Sequence, residues 1–170
     1  MTCARDDDAR QMGHGVNRRA AVRMSGDEVA AFLDGRHTMT LSSFNHDGTI
    51  HAVAMWYGFL DGQIAFETKA KSQKARNILR DPRVTCMVCA GERYEELRGV
   101  ELVGRAELVE EPSQTFALGV SVYERYHGPY RETLRPFVEA MLAKRIVARL
   151  AVARLVSWDH RKLGLAGGET

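Results

Sequence analysis

Ala52-Val53-Ala54-Met55-Trp56-Tyr57-Gly58-Phe59-Leu60-Asp61-Gly62-Gln63-Ile64-Ala65-Phe66-Glu67-Thr68-Lys69-Ala70-Lys71-Ser72-Gln73-Lys74-Ala75-Arg76-Asn77 carries the densest structural signals in the chain. The apolar run 49–60 is parted from a second run, 63–68, by Asp61-Gly62. Asp-Gly between such runs marks a hairpin, because glycine accepts the positive φ that a twist-matched two-residue turn requires. A similar signal, Asn45-His46-Asp47-Gly48, separates 38–44 from 49–60. Two hairpins in succession predict an antiparallel meander.

Beyond Thr68 the chemistry changes. From Glu67 to Arg80 there are five bases and one acid, in a chain whose 24 Lys+Arg and 22 Asp+Glu leave only +2. Residues 72–80 read as a short helix with Ala75, Ile78 and Leu79 inward, stopped by Asp81-Pro82, since a residue before proline disfavours helical dihedrals. A helix start offers open N–H groups and a positive dipole end to an anion. Thr68 and Ser72 add hydroxyls, and Lys69, Lys71 and Lys74 add charge. The plain alternative is a solvated basic helix face. Upstream, Ala52–Tyr57 sets small residues beside large flat ones, which suits either a wall for a planar ring or simple core.

Working outward, Ser25-Gly26-Asp27-Glu28 has the spacing of a capping box and opens a helix to Asp34, with Val29, Phe32 and Leu33 inward. Residues 83–90 and 99–109 are strands. Ser113 caps a helix to about Tyr126, with Phe116, Val120 and Tyr123 along its inner stripe. A further helix runs from Arg131 or Pro136 to Lys144. Residues 146–158 fit neither template cleanly, and their β-branched content favours a strand. The fold expected is mostly β with α (α+β): a six-stranded antiparallel sheet with peripheral helices, closed into a small barrel to remove its edges. Residues 1–24 form a disordered or loosely docked tail, 25–163 the domain, and 164–170 a C-terminal tail.

Composition narrows the function. At 45% hydrophobic and 27% charged, the chain is an ordinary globular protein, not a collagenous or low-complexity one. Its near-neutral charge argues against coating nucleic acid or an anionic membrane. No run approaches the roughly 20 apolar residues of a membrane span, and the first residues lack a signal-peptide core, so a cytoplasmic location is expected. Three cysteines do not make a disulfide framework. Cys86 and Cys89, three apart in a strand, point to opposite faces and read as buried structural residues. The six histidines are scattered without ligand spacing, so no metal site is expected. Signatures for a nucleophilic serine, a dinucleotide and a nucleoside triphosphate are absent.

The order of these pieces resembles the flavin and deazaflavin oxidoreductases with a split β-barrel (FMN-binding split barrel), the superfamily of pyridoxamine 5′-phosphate oxidase. The matching stretches are Asp47–His51, Val53–Tyr57, Asp61–Phe66, Thr68 with Lys74–Ile78, Asp81–Val84 and Val156–Asp159. Within it the chain is most similar to the smaller reductases that use the deazaflavin coenzyme F420, some of which act on tetrapyrroles. That resemblance implies hydride transfer from reduced F420 to a small organic acceptor, with FMN as the rival cofactor. A non-catalytic flavin- or haem-binding protein on the same barrel is the other class. It further implies a homodimer with cofactor sites at the subunit interface. Val53, Ala54, Met55 and Trp56 would line the ring. Thr68, Lys69, Lys71, Lys74 and Asn77 would hold the phosphate and acidic tail. No catalytic acid is carried over. Tyr126, His127 and Tyr130 are candidate donors to the acceptor, or ordinary loop and helix packing.

Overall fold

The computed structural model describes residues 19–35 and 38–164. In chain order the elements are α1 (Arg19–Val22), α2 (Gly26–Asp34), β1 (Met39–Phe44), β2 (Ile50–Met55), β3 (Gly58–Leu60), β4 (Gln63–Lys69) and α3 (Gln73–Arg80). Then follow β5 (Arg83–Ala90), β6 (Arg98–Val109), α4 (Pro112–Tyr126), α5 (Arg135–Leu142) and β7 (Arg145–Asp159). One antiparallel sheet has the order β2-β1-β5-β6-β7-β4-β3.

That order dictates the shape. β2 and β3 occupy opposite edges of the sheet, yet only Trp56 and Tyr57 lie between them. Three Cα steps span at most about 11 Å, so the sheet must curl until its edges nearly meet. They do not pair, and the barrel stays split along that seam. The expected meander therefore breaks in its middle, and the run 49–60 becomes two strands with different partners. This gives seven strands where six were expected, within the expected α+β class and split-barrel form.

Both turns follow the sequence signal. Gly48, Asp61 and Gly62 take positive φ of 83°, 50° and 75°. In α2 the capping box is complete: Ser25 N–H donates to Glu28 Oε2 at 2.6 Å, and Glu28 N–H to Ser25 Oγ at 3.2 Å.

Alternate residues of the strands fill the barrel. Met39, Val88 and Val100 form one cross-strand row and Leu41, Cys86 and Leu102 the next, all buried with Tyr57 and Phe66. Each large apolar side chain so buried contributes roughly 1.5–3 kcal/mol before entropy costs. A second cluster (Leu60, Ala65, Leu118, Val122 and Val147) packs α4 onto the outside of β3, β4 and β7.

Several expected details shift. Cys86 is buried but Cys89 is exposed. Leu79 is exposed because the inner side of α3 turns toward Asn77 as well as Ala75 and Ile78. The inner stripe of α4 is Leu118, Gly119 and Val122, and Glu111 rather than Ser113 caps it. Gly119 lets α5 close in, since a Cβ there would lie 2.7 Å from Val138 Cγ1. Of the two tails, residues 1–18 and 165–170 lie outside the described residues. Val22 and Met24 are buried, and Met24 N–H donates to Ser157 Oγ at 3.2 Å. Among the described residues no helix is long and apolar enough to cross a membrane.

The seam is held by α4. Ser121 Oγ accepts from Phe59 N–H at 2.9 Å and Tyr126 Oη from Tyr57 N–H at 3.4 Å, so helix side chains satisfy the free edge of β3. Gly58 permits this approach, because a Cβ there would sit 2.8 Å from Ser121 Oγ. Tyr57 is fully buried, and its hydroxyl donates to Leu33 O at 2.7 Å. Burial pushes its pKa up to about 12. Arg125 lies over the Tyr57 and Phe59 rings at 4.6 and 4.8 Å and donates to the carbonyls of Leu33, Asp34 and Gly35 at the end of α2.

Arg125 thus ties three elements through bonds no apolar residue can replace. Arg125→Leu is expected to lower unfolding free energy by about 2–4 kcal/mol. Arg125→Lys should recover less than half, because an ammonium cannot span three carbonyls as a planar fork does. Urea denaturation midpoints at unchanged slope check this.

Candidate functional site

β4 delivers the chain from barrel to helix at Thr68–Ser72, and a cavity of about 300 Å³ opens there. Met55 and Trp56, at the end of β2, form one wall. Glu67, Thr68 and Lys69 come from β4, Ser72 and Lys74 from the start of α3, and Arg145 from β7. Val122 of α4 and Met141 of α5 close the back. The volume lies at the lower limit of the roughly 300–1,000 Å³ usual for small-molecule sites.

Strand register explains who meets whom. Lys69 pairs with Arg145 and Glu67 with Val147, so these four share the face that α4 covers. Thr68 points the other way and is buried, with its Oγ1 3.1 Å from Ser72 Oγ. Ser72 Oγ also accepts from Ala75 N–H at 3.2 Å, capping α3. The two hydroxyls therefore fix where the positive end of α3 begins.

Electrostatically the lining has three cations and one carboxylate. The carboxylate is the unusual member. The Glu67 side chain is only 8% exposed, with Arg145 Nη1 3.5 Å from its Oε1. Its Oε2 is buried without a hydrogen-bond partner. Burial pushes the Glu67 carboxyl above its ordinary range, and Arg145 offsets part of that.

Of the nine cofactor-binding residues expected from sequence, Met55, Trp56, Thr68, Lys69 and Lys74 line this cavity. Val53 instead packs against the barrel core. Ala54 and Lys71 are exposed and do not line the cavity. Asn77 is fully buried, its amide donating to Ser43 Oγ at 3.2 Å and Asn45 Oδ1 at 3.0 Å while accepting from Gln73 Nε2 at 2.9 Å. With those bonds made, Asn77 frames α3 against β1.

The aromatic candidates divide. Tyr126 stacks on Trp56 at 4.4 Å with the planes 6° apart, and His127 meets Trp56 edge-on at 5.5 Å. Tyr130 lies against Phe116 and donates to Glu132 Oε2 at 2.9 Å. Sequence reading missed Glu67, Val122, Met141 and Arg145 as site residues. A lone acid in a basic run, alternating with Ala65 and Lys69, was the available signal for Glu67. Arg145 had none, because its place depends on the register between β4 and β7. Among the described residues no cluster of His, Cys, Asp or Glu could hold a metal ion.

A sequence model of pyridoxamine 5′-phosphate oxidase matches residues 25–159. Among solved structures, the conserved hypothetical protein Rv2991 from Mycobacterium tuberculosis is 48% identical, covers 91% of this chain and 97% of its own, and superposes with a TM-score of 0.86. An F420 reductase is similar at 28% identity over 78% of this chain and 97% of its own, with a TM-score of 0.59. HutZ, a haem storage protein from Vibrio cholerae, shares the fold at 17% identity, with 79% and 96% coverage and a TM-score of 0.62. No curated protein matches the chain. The match spans everything from the capping box of α2 to the last residue of β7, including the seam and the cavity beside it, and the chain belongs to the pyridoxamine 5′-phosphate oxidase family of split-barrel proteins.

Proposed function

We propose that the chain is an F420-dependent reductase that passes a hydride to a small organic acceptor. The observation that carries this reading is a line of cations that does not end at the cavity. Arg145 and Lys74 are partly buried, while Lys69 and Lys71 are exposed. A flavin mononucleotide ends in one phosphate and needs no cations past it. F420 continues from its phosphate into several carboxylates, which exposed lysines would meet. The similarity to an F420 reductase supports the same choice.

The lining fits such a molecule in kind. Lys74 and Arg145 would take the phosphate, Lys69 and Lys71 the acidic tail, and the thioether of Met55 with the ring of Trp56 an edge of the planar ring system. When bound and reduced, the deazaflavin supplies a hydride from its ring carbon. The chain's own part is orientation and exclusion of water. Tyr126 immobilises Trp56 by stacking, and Val122 and Met141 keep the inner wall apolar. His127, edge-on to Trp56, sets a proton-carrying ring beside that wall, where negative charge on an acceptor would need one.

At about 300 Å³, one chain encloses only part of this ligand. The outer sheet face offers what would complete it. Ala54, Thr40, Met87, Glu101 and Val156 form a row across five strands, and Phe44, Ile50, Met87 and Val156 are exposed on that face. A monomer rarely leaves so much apolar surface open. A second copy of the chain covering this face, and with it both cofactor sites, is part of the proposal.

Purified protein titrated with F420 is expected to quench the coenzyme's fluorescence, and FMN to bind more weakly. The reading fails if FMN binds tightly and F420 not at all. Replacing Lys69 and Lys71 together by alanine should weaken F420 about tenfold at low salt while changing FMN affinity less than threefold, given the small value of each exposed charge pair. Lys74→Ala should weaken both. Sedimentation should give twice the 19.0 kDa chain mass. Ile50→Asp, placed in the open face, should shift the protein toward monomer and reduce F420 binding in step.

A further inference from the structure

The cavity's polar groups are unbalanced in an informative way. Lys69, Lys74 and Arg145 only donate hydrogen bonds, and the hydroxyls of Thr68 and Ser72 are engaged with each other. A bare anion needs only donors, so these would suffice for it. Glu67 is then a liability twice over. Its buried carboxylate repels an incoming anion, and its Oε2 is buried without a hydrogen-bond partner. A carboxylate that hinders both the fold and a simple anion makes sense beside a ligand that brings its own hydrogen-bond donor.

We infer that Glu67 is the specificity-determining residue of this cavity: it selects an anionic ligand carrying a hydroxyl next to its phosphate, as a polyol phosphate does. The Glu67 carboxylate accepts the hydroxyl hydrogen while Arg145 and Lys74 hold the phosphate. The Arg145–Glu67 contact of 3.5 Å is longer than a hydrogen bond, so an arriving phosphate can take over Arg145 and leave the carboxylate for the hydroxyl. This inference rests on reading the cavity as the anion end of the cofactor site. It asks only for the polyol phosphate portion, which F420 and FMN share.

The test uses simple probes, methyl phosphate and ribitol 5-phosphate, titrated calorimetrically at pH 8 into the wild-type protein, Glu67→Gln and Glu67→Leu. The wild type should prefer ribitol 5-phosphate by about tenfold or more, the worth of one charge-assisted hydrogen bond. Glu67→Leu should bind methyl phosphate more tightly and ribitol 5-phosphate more weakly, bringing the preference close to one. Glu67→Gln keeps an acceptor without the charge and should retain part of the preference. A preference unchanged in Glu67→Leu, or absent from the wild type, overturns the inference. F420 plays no part in this measurement, so failure of the cofactor assignment and failure of the role given to Glu67 are separable.

Thermal unfolding supplies the second readout. The charged groups on the elements around Glu67 are Lys69 on its own strand, Lys74 on α3, and Arg145 and Arg149 on β7, the last engaged with Asp61, while α4 and α5 present Val122 and Met141. Burial raises the Glu67 carboxyl, so the folded state holds its proton to higher pH than the unfolded chain does. Stability is therefore lost as pH rises from the ordinary carboxylate range through the raised value. Glu67→Gln should increase Tm at pH 7–8, with the gain shrinking as pH falls toward the ordinary carboxylate range. A lower Tm for Glu67→Gln at neutral pH would mark the residue as a structural ion-pair partner and overturn the inference.

Discussion

Two residues, Trp56 and Tyr57, join the opposite edges of a seven-stranded sheet, and the rest of the architecture answers to that short tether. A sheet whose edges are held about 11 Å apart must curl, and its strands must send alternate side chains into a closed interior. Complete closure would need β2 and β3 to pair. Instead α4 reaches in, with Ser121 and Tyr126 taking the N–H groups of Phe59 and Tyr57. An exposed strand edge is a liability, and here a helix covers it. Arg125, beneath the tether, binds the last carbonyls of α2 and lies against Tyr57. Closure, edge protection and helix docking converge on one corner.

The same corner places the site. Met55 and Trp56 line the cavity because the chain leaves the sheet there, and Val122 lines it because α4 must lie across β3. Across the gap, β4 ends in Lys69 and the chain turns through Ser72 into α3. An apolar wall and the positive end of a helix thus face one cavity. Neither set of residues is a site alone. The barrel, with its edges drawn together, makes them one.

How far this was readable from sequence depends on the range of the interaction. The capping box at Ser25 and the turns at Gly48 and Gly62 are local, and the structure matches them closely. The split of 49–60 was hidden, because β-propensity is equally good for β2 and β3 while their partners lie at opposite edges. Helix faces misled for a similar reason. In α4, Phe116, Val120 and Tyr123 form as regular a stripe as Leu118 and Val122, and only the position of β3 decides between them. Within the site, Trp56, Thr68, Lys69 and Lys74 were legible from order along the chain. Asn77 was legible as polar but not as buried. Its amide belongs to Ser43, Asn45 and Gln73, which its neighbours in sequence could not reveal. Arg145 was out of reach, because its meeting with Glu67 is made by pairing two strands far apart in the chain.

Glu67 shows why such a residue escapes attention and why it matters. In a run of bases a single acid reads as charge balance, and on a surface it would be little more. Here the strand turns it toward α4, where water is excluded and one cation at 3.5 Å compensates incompletely. Burying a carboxylate with an unpaired oxygen costs stability that a leucine or glutamine at the same position would spare. Arg125 Nε and Arg149 Nε are also buried without a partner, but other nitrogens of both guanidinium groups are bonded, whereas the Glu67 carboxylate has one cation at 3.5 Å. Strain of this kind is relieved by a partner that supplies the missing donor, and the cavity that Glu67 lines gives such a partner a way in.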